Sequence, residues 1–90
     1  VLEAVNRERR RTRIDILATI LSAALNDKLK TRIMFKASLN YNQAEKYFDF
    51  LIKAGLLRKG MSGKRASYKT TDKGAEFIAK YKALKELIED

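Results

Sequence analysis

Ninety residues suffice for one domain that can just close its own core, and 46% hydrophobic with 34% charged residues suits a folded chain, not a disordered one. Twenty Lys and Arg against 11 Asp and Glu give a net charge of +9, an excess that suits an anionic partner such as nucleic acid or an acidic membrane surface, the competing reading being a merely soluble or heat-adapted protein. With no Cys and no His, disulfides, a zinc site, a thiol nucleophile and an imidazole base are excluded.

The charge is unevenly placed. From Arg7 to Lys69 there are 16 basic and 5 acidic residues, a balance of +11, whereas Thr71 to Asp90 hold 4 basic and 5 acidic residues, a balance of −1. The body of the chain therefore meets the anion, and the C-terminal segment has another task. No apolar run approaches the roughly 20 residues of a membrane span. The start, Val1 to Val5, is too short and too acidic for a signal peptide. The expected location is cytoplasmic and nucleoid-associated.

Residues 1–11 read as a basic N-terminal arm or an extension of the first helix, with Arg7, Arg9, Arg10 and Arg11 as a basic run. The first helix is expected from Thr12 to Asn26, where Ile14, Leu17, Ala18, Leu21, Ala24 and Leu25 recur at helical spacing and Ile16 and Ile20 widen the apolar face. Asn26-Asp27-Lys28 reads as a connection. A short second helix follows from Thr31, its expected N-cap, to Ala37, with Ile33, Met34 and Ala37 inward. Ser38-Leu39-Asn40 is a tight turn with one apolar plug, Leu39.

The third helix is expected over Tyr41–Ala54. Asn40 caps it and Gln43 completes a capping box. Ala44, Tyr47, Phe48, Leu51 and Ile52 form its buried stripe, and Gly55 stops it. Leu56–Lys59 and Arg65–Thr70 read as two strands around a flexible tip, Gly60 to Lys64, whose two glycines supply positive φ. A fourth helix starts at Thr71 or Asp72 and reaches toward the end. The fold class is thus mainly α with a small β-hairpin (α+β): a winged helix-turn-helix body over residues 12–71, then a long C-terminal helix over 72–90.

A short helix turned onto a longer one is the arrangement that lays a helix in the DNA major groove, and the hairpin supplies a wing. Away from the core, the third helix offers Asn42, Gln43, Lys46, Asp49 and Lys53. Asn and Gln can pair with adenine and Lys with guanine or phosphate; the other reading is an ordinary polar face. Tyr41 either donates to a phosphate or plugs the turn. Arg32 and Lys36 are expected to face the DNA backbone, beside backbone N–H groups that start the second helix. The wing carries Arg58, Lys59, Lys64, Arg65 and Lys69, with no acid from Arg58 to Thr71. Arg7 to Arg13 form a second basic cluster, either touching flanking phosphates or solvated.

On the last helix, Phe77, Tyr81, Leu84 and Ile88 are spaced 4, 3 and 4, as in a short coiled-coil seam. Tyr81, Leu84, Leu87 and Ile88 are accordingly the expected homodimer contacts, the other reading being that this helix packs on its own body. There is no P-loop and no dinucleotide fingerprint, so neither an enzyme nor a cofactor, metal or small-molecule substrate is expected.

The stretch Lys30-Thr31-Arg32-Ile33-Met34-Phe35-Lys36-Ala37-Ser38-Leu39-Asn40-Tyr41, then Tyr47-Phe48-Asp49-Phe50-Leu51-Ile52-Lys53-Ala54-Gly55-Leu56-Leu57, then Tyr68-Lys69-Thr70-Thr71-Asp72-Lys73-Gly74 resembles small archaeal winged-helix proteins. These are the ten-kilodalton "a" type of Sulfolobus chromatin proteins and related predicted transcriptional regulators. The resemblance covers roughly Arg11 to Asp90. It implies a winged-helix body, DNA binding by the third helix and wing, and a dimer joined by an antiparallel coiled coil of C-terminal helices. The expected function is double-stranded DNA binding, as a transcriptional regulator or a chromatin protein. The alternative is a winged-helix protein-interaction module for acidic partners, which Glu45 and Asp49 on the third helix favour; RNA binding is a lesser variant.

Overall fold

A computed structural model describes residues 11–88. The elements run α1 (Arg13–Ala23), β1 (Lys28–Leu29), α2 (Lys30–Ala37), α3 (Tyr41–Lys53), β2 (Leu57–Ser62), β3 (Arg65–Thr70) and α4 (Asp72–Ile88). This is the winged-helix α+β order that the sequence leads one to expect. The strands form one antiparallel sheet in the order β1-β3-β2. Of the arm or helix extension expected over residues 1–11, all but Arg11 lies outside the described residues.

Thr12 starts α1 through a complete capping box with Asp15: each residue's backbone N–H donates to the other's side chain. The helix stops at Ala23, three residues short of the expected end. β3 is the cause. The Thr70 hydroxyl donates to Leu21 O at 2.6 Å and the Thr70 N–H to Ala24 O at 2.8 Å, so the last carbonyls of α1 turn to the sheet. Leu25 consequently falls beyond the helix and is exposed, and Ile14, one residue into α1, is exposed too; both were expected on the core face.

β1 stands where the sequence suggests only a connection. It pairs Lys28 with Tyr68 and Leu29 with Ser67. Two residues carry no period, so no pattern announces them. Strand β1 also displaces the expected cap of α2. The cap position is Leu29, in extended conformation with no side-chain hydrogen bond, and not Thr31. Ser38 ends α2 in the left-handed region (φ 56°), and the Leu39 N–H donates to Met34 O, which drives the Leu39 side chain into the core as expected.

The capping box of α3 forms in both halves, Asn40 with Gln43. Gly55 takes φ 80° behind it, a conformation cheap only for glycine. Ala44, Phe48 and Leu51 are buried, but Ile52 is exposed at the edge of the stripe. The core gathers Ile20 and Leu21 of α1, Ile33 of α2, Leu51 of α3 and Ile78 of α4. Phe48 meets Tyr68 of β3 with ring centroids 4.7 Å apart at 57°, a tilted pair that adds roughly 0.5–1.5 kcal/mol to burial. This contact ties the hairpin to the third helix.

β2 runs further than expected, to Ser62, while β3 spans Arg65–Thr70 as expected. Pairing runs from Leu57↔Thr70 to Ser62↔Arg65, leaving a two-residue turn, Gly63-Lys64. Only Gly63 has positive φ there (66°). Gly60 lies within β2 opposite Ser67 and supplies no turn.

The junction into α4 is tightly built. Thr71 donates its hydroxyl to Gly55 O and accepts from the Gly74 N–H, while its own N–H donates to Leu56 O. Lys73 Nζ donates to Ala54 O. The end of α3 and the start of α4 thereby satisfy each other's unpaired groups.

Candidate nucleic-acid interface

The surface is organised around α3. Asn42 and Lys46 are exposed on its outward side. Gln43 is exposed as well, but its Oε1 accepts from the Asn40 N–H at 3.0 Å. The cap fixes the amide's orientation and takes one of the two Oε1 lone pairs, so bidentate pairing with adenine would have to share that oxygen with the cap. Asn42 has no such commitment.

Tyr41 is exposed, not a core plug. Its ring lies under Lys30 Nζ, 4.4 Å from the centroid. Lys30 also pairs with the Glu45 carboxylate. This hub was invisible in the sequence: the two residues are 15 apart on different helices, and no spacing rule joins them. It has an electrostatic consequence. Glu45 and Asp49 are the acids of α3, and both are answered within the chain, Glu45 by Lys30 and Asp49 by Lys53 at 3.1 Å.

On one flank of α3 stands the wing. Arg58, Lys59, Lys64, Arg65 and Lys69 are all exposed, and none pairs with a carboxylate among the described residues. Arg58 lies directly across from Lys69, a like-charge cross-strand pair that costs stability. The register puts Arg58, Arg65 and Lys69 on one face of the hairpin and Lys59 on the other. Arg65 borders a cavity with Leu29, Lys30 and Thr31 at the start of α2. Arg58 and Lys69 border another with Gly55, Asp72 and Lys73 at the wing's root. Lys59 shares the face of its partner Tyr68, and Lys64 is at the tip.

Arg32 is exposed near the start of α2. Lys36, expected beside it on the DNA backbone, instead borders a groove of about 470 Å3 between α1 and α4, with Ile78, Tyr81 and Lys82. Three positions after the buried Ile33, it is exposed at the flank of the core face. On the other side of α3, Arg13 lies over the Phe50 ring and borders a cleft with Gln43, Lys46 and Tyr47.

The C-terminal residues form a separate surface. Leu84, Leu87 and Ile88 are 55%, 81% and 52% exposed. With Ile14, Phe77, Lys80 and Tyr81, Leu84 borders a small apolar cavity. Tyr81 is committed within its own chain, its hydroxyl donating to Asp15 Oδ1. That donation, with those of the Thr12 N–H and hydroxyl and the nearby Lys85 charge, holds the Asp15 carboxyl below its usual range. Burial raises the Tyr68 phenol, with the Tyr41 side chain adding to the shift. Among the described residues no helix is long and apolar enough to cross a membrane.

A family model described as winged helix-turn-helix matches residues 10–89. The chain belongs to the winged helix-turn-helix family. An uncharacterized protein of Methanocaldococcus jannaschii is 32% identical over 85 residues, 93% of this chain and 80% of that protein. Among solved structures, this winged helix-turn-helix chain is similar to Sso10a-2, a DNA-binding protein from Sulfolobus solfataricus. The TM-score is 0.78 at 28% identity, over 86% of this chain and 81% of that one. The protein AF1382 from Archaeoglobus fulgidus shares the fold at TM-score 0.74 and 19% identity, over 97% and 98%. The resemblance to the small archaeal winged-helix proteins thus holds over nearly the whole winged helix-turn-helix chain.

Proposed function

We propose that this protein binds double-stranded DNA, with α3 in the major groove and the wing on the adjacent backbone, as a dimer joined through α4. The observation that carries this reading is the sorting of charge. Both acids of α3 are neutralised by lysines of the chain itself, whereas the five wing cations have no carboxylate partner among the described residues. A polyanion relieves that repulsion. The similarity to Sso10a-2, a DNA-binding protein, supports the same partner. Asn42 is the preferred base-reading residue, Lys46 reaches guanine or phosphate, and Arg32, Lys64 and Arg65 hold the backbone. The apolar residues beyond Phe77 support pairing of two copies, and a nucleoid-associated location follows from the DNA partner. The role is that of a transcriptional regulator or a chromatin protein. The protein-interaction alternative draws on Glu45 and Asp49, and their pairing with Lys30 and Lys53 lessens the negative charge they offer a partner.

Fluorescence anisotropy on a labelled duplex between 50 and 200 mM salt tests the proposal. The log affinity should fall linearly with log salt, by about 0.9 per neutralised phosphate. Equal affinity at both ends of that range would overturn it. Competition between random and selected duplexes at one salt concentration separates regulator from chromatin protein.

A further inference from the structure

The wing accounts for one flank of α3, and the start of α1 occupies the other. Its two described arginines have different tasks. Arg11 donates to the carbonyl of Ala37, the last residue of α2, and serves as a C-terminal cap. Thr12 then fixes the start of α1 by its capping box. The next residue, Arg13, is delivered to α3, where its guanidinium carbon sits 5.2 Å from the centre of the Phe50 ring. Phe50 is half out of the core and acts as a platform. A guanidinium laid on a ring is positioned without consuming its N–H donors, which lie in its own plane.

The cleft beside it, about 270 Å3, is lined by Arg13, Gln43, Lys46 and Tyr47. Two of the four carry positive charge. The Tyr47 hydroxyl can donate. Gln43 presents its amide N–H2, because its carbonyl oxygen is held by the Asn40 N–H. Among the described residues no carboxylate lines the cleft. Such a lining suits a tetrahedral oxyanion and repels a cation.

We infer that this cleft grips a phosphodiester of the bound duplex, on the side of α3 away from the wing. The inference rests on the DNA-binding reading and deepens it: α3 is bracketed by backbone contacts on both sides, which fixes its depth and register in the groove. Arg13 is then a binding residue in its own right, with Phe50 as its positioning residue.

The experiment measures duplex affinity against salt for wild type, R13Q, R13K and Y47F. Over a fourfold range of salt one phosphate contact changes affinity about 3.5-fold. R13Q should therefore show a wild-type-to-variant affinity ratio about 3.5-fold larger at 50 mM than at 200 mM, with its log–log slope shallower by about 0.9. R13K keeps the charge and should keep the slope. Y47F removes only a donor; it should weaken binding with the slope unchanged. It also carries the test if R13Q fails to fold, as judged by circular dichroism. A wild-type slope of zero sinks the DNA reading. A steep wild-type slope matched by R13Q, or wild-type affinity in Y47F where R13Q does not fold, sinks the cleft alone. Inorganic phosphate at matched ionic strength is the second probe. It should weaken duplex binding by wild type more than chloride does and lose that advantage in R13Q; equal phosphate sensitivity in wild type and R13Q would overturn the proposal.

Discussion

Gly74 is where a single methyl group should do most damage. A Cβ built there would lie 2.3 Å from Leu56 O and 2.5 Å from Thr70 Cγ2. Ordinary contact begins near 3.4 Å, so α4 would have to retreat from the wing's root by about 1 Å. The retreat pulls on the junction bonds, Thr71 N–H to Leu56 O at 3.0 Å and Thr71 hydroxyl to Gly55 O at 2.7 Å. Weakening two such bonds costs about 1 kcal/mol each, and the overpacking strain adds about 1–3 kcal/mol. Alanine's better helix propensity returns at most about 1 kcal/mol. The net loss for Gly74→Ala is about 2–4 kcal/mol, against a total of roughly 5–13 kcal/mol for a domain this size. Thermal melting followed by circular dichroism should fall by about 10–30 °C. The control is Gly63→Ala at the wing tip, where φ is 66° but nothing lies within 4 Å. It should cost only the backbone strain, about 1 kcal/mol. A Gly74→Ala protein that melts with the wild type, or above Gly63→Ala, would refute the close-approach argument.

Glu45→Gln should release Lys30, tighten duplex binding and steepen the salt slope, while Lys30→Gln should loosen binding; both should change melting little, since the pair is partly exposed. Weaker binding by Glu45→Gln would show that the acid assists recognition. Tyr81→Phe should cost about 1 kcal/mol at pH 7, after allowance for partial exposure. Because the Asp15 carboxyl is held low in the folded state, its contribution is present above the unfolded pKa, about 3.9, and is lost as pH falls through the folded value. The gap between wild type and Tyr81→Phe in urea unfolding should therefore shrink at pH 2 to 3, and a constant gap would contradict the assignment. Leu84→Lys should give monomers in sedimentation and weaken DNA binding; an unchanged dimer would remove α4 from the interface.

What the sequence made legible was local. The start of α3 follows from Asn40 and Gln43, its end from Gly55, and the hairpin from a glycine at its turn. The start of α4 follows from Thr71 and its hydroxyl, three residues before Gly74. Contacts between distant residues were not legible. Lys30 meets Glu45 and Tyr41 across a helix pair, and Tyr81 reaches Asp15 66 residues away; neither obeys a spacing rule. Thr70 ends α1 early by drawing its carbonyls, which the periodicity of α1 alone cannot foresee. Among the candidate site residues, exposure was predictable from the helix face and Gln43's commitment from its capping box; what no local pattern foretold is that Lys36, though exposed, borders the α1–α4 groove.

The sorting of charge links the fold to the function through stability. In the isolated protein, Arg58 faces Lys69 across the sheet, and Lys64 and Arg65 crowd the turn. The strands hold their register against this repulsion because Tyr68 is anchored on Phe48 and Leu57 and Thr70 are buried. On α3, Glu45 and Asp49 are taken by Lys30 and Lys53, and Asp72, which borders the wing's root beside Arg58 and Lys69, forms no ion pair with either among the described residues. A phosphate lattice placed against the wing relieves what the chain itself does not. Ligand that binds only the folded state stabilises it by RT ln(1 + [L]/Kd), about 2.7 kcal/mol at a hundredfold excess over Kd, or roughly 10–20 °C in melting temperature for a domain this size. The relief is electrostatic, so the increment must shrink as salt rises. Duplex DNA that raised the melting temperature equally at 50 and 400 mM salt would mean that the wing's charge is not what the duplex answers.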